Sequence, residues 1–125
     1  MEIVIYKKLE VAASGTDSDE FVPLYRKLTL KEIRLVADSA VTAHASNHVV
    51  LKFIKGSTTL ASRNFSTGSG SSMAAGASEA LSLSGGADLD FSDLDELKIT
   101  YDQSGSGMAF DGGALFVFEP RSERS

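Results

Sequence analysis

Residues 97–102 read Leu-Lys-Ile-Thr-Tyr-Asp. Apolar and polar side chains alternate with a period of two. On a strand this sets Leu97, Ile99 and Tyr101 on one face and Lys98, Thr100 and Asp102 on the other. The same texture recurs along the chain. Ile3, Ile5, Leu9 and Val11 share one parity in 2–11, and residues 49–55 (VVLKFIK) form a second strong strand. Gly56-Ser57 then turns the chain into Thr58–Phe65, which predicts a hairpin. In 28–37 (LTLKEIRLVA) the apolar parity changes between Leu30 and Ile33. A bulge near Lys31-Glu32 would absorb the extra residue and bend the strand. Leu81 and Leu83 make a short strand, and 108–118 make the last one, interrupted at Asp111-Gly112-Gly113. No segment supports a helix longer than about two turns. The fold class that follows is all-β, a jelly-roll-like antiparallel β-sandwich of about seven or eight strands with an extended N-terminal arm.

Small polar residues divide the chain. Residues 12–19 (AASGTDSD) read as a linker, which makes 1–19 an N-terminal arm and linker and 20–119 the β-sandwich domain. Residues 120–125 form a charged, flexible C-terminal tail. Residues 66–79 are almost all Ser, Gly and Ala, too small to build a core, and read as a long exposed loop. Part of it, 72–81, would accommodate a helical turn or two, although Gly76 weakens that reading. Ser92 followed by Asp95 and Glu96 resembles a capped helical turn.

Composition narrows the chemistry. The chain of 125 residues has no cysteine, which removes disulfides, thiolate metal sites and cysteine nucleophiles. The net charge of −5 is uneven: residues 66–125 hold three Lys/Arg against ten Asp/Glu. That acidic half argues against nucleic acid as a partner, because phosphate contacts need a basic surface. A small basic group, Arg26, Lys27, Lys31 and Arg34, reads as a solvated strand edge. No apolar run approaches the roughly 18 residues of a membrane-spanning helix, so no membrane partner is expected. Ile3 to Tyr6 is too short for a signal-peptide core.

The densest carboxylate group is Asp88, Asp90, Asp93, Asp95 and Glu96, interleaved with Leu89, Phe91 and Leu94. It lacks the glycine of a calcium loop, so the expectation is apolar side chains pointing inward and acids in water, without a metal. His44 and His48 lie four apart in a loop-like context and read as ordinary hydrogen-bonded histidines. Neither a phosphate-binding glycine loop nor a G-x-S-x-G elbow is present. No catalytic residues, cofactor or metal are therefore expected. Tyr6, Tyr25 and Tyr101 are possible sugar platforms, although packing suits them better.

Several strands are apolar on both faces, where a small sandwich should wet one. Val50 and Ile54 oppose Val49, Leu51 and Phe53, while Leu115 and Val117 oppose Phe116 and Phe118. Val4 and Tyr6 oppose Ile3 and Ile5. Surplus apolar surface of this kind marks an interface. Val50, Ile54, Leu115 and Val117 are the candidates for self-association.

The run LTLKEIRLVADSAVTAHASNHVVLKF, the following GSTTLASR with its Ser/Gly/Ala loop, and the later FSDLDELKITYDQSGSG and ALFVFE are similar to small β-sandwich decoration (cement) proteins of tailed-phage capsids. The resemblance covers roughly residues 21–119 and is one of overall texture. It implies a non-enzymatic virion protein on the outer capsid surface, a homotrimer that bridges subunits of the major capsid protein. It also gives the arm a role: Ile3, Val4, Ile5 and Tyr6 would add as a strand to the capsid or to a sister copy. Related-looking jelly rolls occur in phage head fibres and tails, so a glycan- or receptor-binding module stays open as the alternative. A jelly-roll enzyme would need a clustered His/carboxylate site that the sequence does not display.

Overall fold

The computed structural model describes residues 2–24, 26–92 and 94–121. Among them are nine strands in two antiparallel sheets. The strands are β1 (Ile3–Val11), β2 (Ser18–Pro23), β3 (Leu28–Ala37), β4 (His48–Lys55), β5 (Thr58–Asn64), β6 (Ser78–Leu81), β7 (Asp90–Phe91), β8 (Glu96–Ser104) and β9 (Phe110–Pro120). One sheet runs β1-β9-β3-β6, with β7 also paired to β3, and the other runs β2-β8-β4-β5. The pairings nest: β1 with β9, β2 with β8, β3 with β6 and β4 with β5. Nested pairing of this sort is what rolling up one long antiparallel ribbon produces, and it defines a jelly-roll sandwich.

The core is built from the inward parity of each strand. Leu9, Ile33, Leu35, Val49, Leu51, Phe53, Leu97, Ile99, Phe116 and Phe118 are all fully buried between the sheets. Phe53 of one sheet meets Phe116 of the other edge to face at 5.7 Å, and Phe91 meets Phe118 at 5.9 Å. Such pairs add about 0.5–1.5 kcal/mol beyond the burial itself. Two bulges reconcile pattern with pairing. The register of β3 on β9 shifts between Leu30 and Glu32, at the place where the parity of the sequence changes. A second shift, between Phe53 and Ile54, lets β5 bury the consecutive Leu60 and Ala61.

Several expectations change in three dimensions. The segment anticipated as an arm is laid into the five-stranded sheet as its edge strand, paired with β9 from Ile3↔Phe118 to Val11↔Phe110. The cause is its own alternation, which packs Ile3, Ile5 and Leu9 on the core while the backbone completes the β9 ladder. Residues 18 and 19 likewise already belong to β2. The last strand is not interrupted: Gly112 and Gly113 lie within β9. They are glycines because of close approach. A Cβ at Gly112 would lie 2.0 Å from the Val36 carbonyl oxygen, and one at Gly113 would lie 2.4 Å from the Tyr6 ring. Segment 72–81 forms no helix; a bridge joins Met73 to Val41 and β6 follows. The turn expected to be helical at Ser92 precedes β8 without becoming a helix, and the one 3-10 turn among the described residues is Gly86–Leu89. Pro120 ends β9 opposite Leu28, and the Arg121 amide donates to the Lys27 carbonyl at 3.0 Å. The rest of the tail, 122–125, lies outside the described residues, as do Tyr25 and Asp93.

The serine-rich loop is ordered by a side chain that composition does not single out. Arg63, buried on β5, donates to both carboxylate oxygens of Glu79 at 2.8 and 3.1 Å. It also donates to the carbonyls of Asn64, Ser71 and Ser72 and stacks over Phe65 at 4.5 Å. A planar fork with five N–H donors is what makes one residue able to hold so many acceptors.

Candidate functional site

Pairing register decides what each sheet shows to solvent. On the five-stranded sheet, Val4 faces Val117, which faces Glu32, and Tyr6 faces Leu115, which faces Arg34. These four apolar side chains make one stripe across β1 and β9. Val4 is 56% exposed and Tyr6 57%, with Leu115 and Val117 half-buried. The stripe has charged borders. Arg34 pairs with Glu32 at 3.1 Å on one side. Beyond Tyr6, the Lys8 ammonium reaches Asp111 at 2.5 Å and Asp38 at 3.1 Å. Those two carboxylates, Asp111 foremost, push the Lys8 pKa upward.

The candidate residues therefore divide. Of the arm group, Ile3 and Ile5 turn to the core and only Val4 and Tyr6 are presented outward. Of the self-association group, Leu115 and Val117 lie in this stripe, whereas Val50 and Ile54 lie on the outer face of the four-stranded sheet. There Val50 sits between Asp102 and Asn64, and Ile54 between Lys98 and Thr59. The surrounding surface is charged: Lys52 pairs with Asp102 at 2.8 Å and Lys98 with Asp19 at 3.6 Å.

A different feature lies at one end of the sandwich. A cleft of about 590 Å³ is lined by Phe21 of β2, by Lys55, Gly56, Ser57 and Thr58 at the β4–β5 turn, by Asp88, and by Leu94, Asp95, Glu96 and Lys98. Its hydrogen-bonding groups are held in place. Thr58 donates to Asp88 at 2.8 Å, the Ser92 amide donates to Asp95 at 2.8 Å, and Lys55 donates to the Asp90 carbonyl at 2.6 Å. Phe21 is 50% exposed there and Leu94 74%. Leu94 has φ 69°, a left-handed conformation that is uncommon for a non-glycine residue. Two backbone bonds hold it: its amide donates to the Leu24 carbonyl, and the Leu24 amide donates to the Asp95 carbonyl.

This cleft revises the reading of the acidic segment. Phe91 is buried and Leu89 packs on the core, but Leu94 points to solvent. Asp88 and Asp90 accept from Thr58 and Thr29, so both are tied to neighbouring strands. Among the described residues, no three His, Asp or Glu side chains gather as a metal-holding group. His44 Nδ1 accepts from the amides of Ser46 and Asn47, which shapes the loop before β4. His48 already belongs to β4, so the two histidines share no helical face.

The tyrosines have separate fates. Tyr6 joins the apolar stripe. Tyr101 is buried and donates to Glu20, which is 3.8 Å from Lys7 across the open edge between β1 and β2. Burial first, and then the bond to Glu20, raise the Tyr101 pKa. The exposed aromatic beside the cleft is Phe21.

No protein-family model matches the chain, and no curated protein matches it. Among solved structures, the chain is similar to one chain of "Structure of infectious bursal disease virus Gx strain", with 12% identity and a TM-score of 0.46. That alignment covers 98% of this chain and 33% of the other, so this chain spans about a third of its length.

Proposed function

We propose that this protein is a non-enzymatic virion structural protein that decorates the outer surface of a tailed-phage capsid and stabilises it. The observation that carries the reading is the stripe of Val4, Tyr6, Leu115 and Val117, a contiguous apolar surface framed by ion pairs. Covering the exposed half of each outer side chain contributes roughly 1 kcal/mol. A few such contacts make a weak single site, and repetition over a lattice turns weak sites into firm attachment. The texture shared with cement proteins supplies the capsid, the homotrimer and the bridging of major capsid subunits. β1 fits this role as an edge strand, whose outer backbone groups offer a ladder to a partner strand.

The test has two parts. Sedimentation velocity should give a trimer mass, and quantitative mass spectrometry of purified virions should give a copy number comparable to that of the major capsid protein. A compact monomer at high concentration that is absent from virions overturns the reading. A few copies per particle favour a tail or fibre component.

A further inference from the structure

We infer that the cleft between β2, the β4–β5 turn and residues 94–98 is a binding site for a neutral carbohydrate, separate from the apolar stripe. Each ligand class makes different demands on these residues. An anion would meet Asp88, Asp95 and Glu96, and a cationic side chain would meet Lys55 and Lys98. The mixed lining instead suits a ligand without net charge that both donates and accepts hydrogen bonds. Ser57, Thr58 and the carboxylates match hydroxyl groups, and Phe21 offers a half-exposed ring to the apolar face of a sugar. Sites of this kind combine an apolar platform with a few fixed polar groups. Here the polar groups are fixed by hydrogen bonds: Asp88 by Thr58, and Asp95 by the Ser92 amide.

Leu94 adds an independent sign. A large apolar side chain is held three-quarters exposed at the rim, in a backbone conformation that glycine would adopt more easily. Local strain that persists at a concave site is a mark of function.

The experiment is an array of immobilised neutral hexose and N-acetylhexosamine oligosaccharides beside sialylated and sulfated ones, followed by calorimetric titration of the strongest neutral binder. Binding to a neutral glycan is expected, at least tenfold weaker for Phe21→Ala. Leu94→Gly should weaken binding severalfold while the melting temperature holds or rises, and it decides the matter if Phe21→Ala fails to fold. Tyr6→Asp should bind glycan like the parent, so loss of capsid attachment and loss of sugar binding are read apart. No neutral binder on the array, binding confined to the anionic glycans, or affinity unchanged in both cleft variants overturns the inference.

Discussion

The two outer faces of the sandwich are made of strands with the same inward pattern, yet they present opposite surfaces. The four-stranded sheet has apolar residues on its outside, but Val50 and Ile54 are each flanked by polar neighbours, with Lys52–Asp102 and Lys98–Asp19 close by. Across the five-stranded sheet the charges stand at the borders and the apolar residues adjoin one another. Single apolar side chains on a surface are ordinary, whereas contiguous ones mark contact. Register, rather than the number of apolar residues, makes the difference. Tyr6 sits opposite Leu115 and Val4 opposite Val117, while Val50 finds Asp102 and Asn64.

The largest expected effect breaks this contrast directly. If the proposed trimer and capsid attachment use the stripe, Leu115→Asp with Tyr6→Asp should abolish the trimer and weaken binding to empty capsid shells by more than tenfold. Val50→Asp with Ile54→Asp should leave both unchanged in co-sedimentation. Equal losses from the two faces would erase the distinction.

Next comes Gly112→Ala, whose methyl group would strike the Val36 backbone. Overpacking of this kind should cost about 2–3 kcal/mol in urea unfolding. Gly113→Ala meets the Tyr6 ring instead, which swings aside, so about 1 kcal/mol is expected. Its stronger consequence should be weaker assembly, since Tyr6 leaves the stripe. Lys52→Ala on the other face removes one exposed ion pair and should change stability by no more than about 0.5 kcal/mol.

The smallest effect is alkaline. The Tyr101 pKa is raised in the folded state above its ordinary 10.0, so its contribution is full below about pH 10. Above that, the unfolded chain ionises while the folded phenol keeps its proton, and stability falls as pH rises. Tyr101→Phe should flatten part of that decline in melting temperature. An unchanged slope would assign it to other groups, Lys8 first.

Much of the fold was legible because the alternation of a strand is a local property. The parity break at Lys31-Glu32 announced a bulge, and Gly56-Ser57 announced the hairpin; both appear. The linker reading of 12–19 concealed that β1 closes the sheet, since nothing in those residues reveals which distant strand will accept the preceding one. Arg63 gave no signal either: beside the Glu79 carboxylate, sixteen residues away, it is held by main-chain carbonyls of Asn64, Ser71 and Ser72, and any residue type carries those.

The candidate sites were legible only in part, for the same reason. Sequence alone determined that Val4, Tyr6, Leu115 and Val117 would point away from a core, because period two leaves no other choice once Phe116, Phe118, Ile3 and Ile5 turn inward. Tertiary structure decided that those four meet on one sheet while Val50 and Ile54 go to the other. It also drew Phe21, Asp88 and Leu94 around one cleft, with the backbone of Leu94 and Asp95 bonded to Leu24. Alternation passes along the chain from one residue to the next, whereas neighbourhood depends on hydrogen bonds between strands as distant in sequence as Ile3 and Phe118.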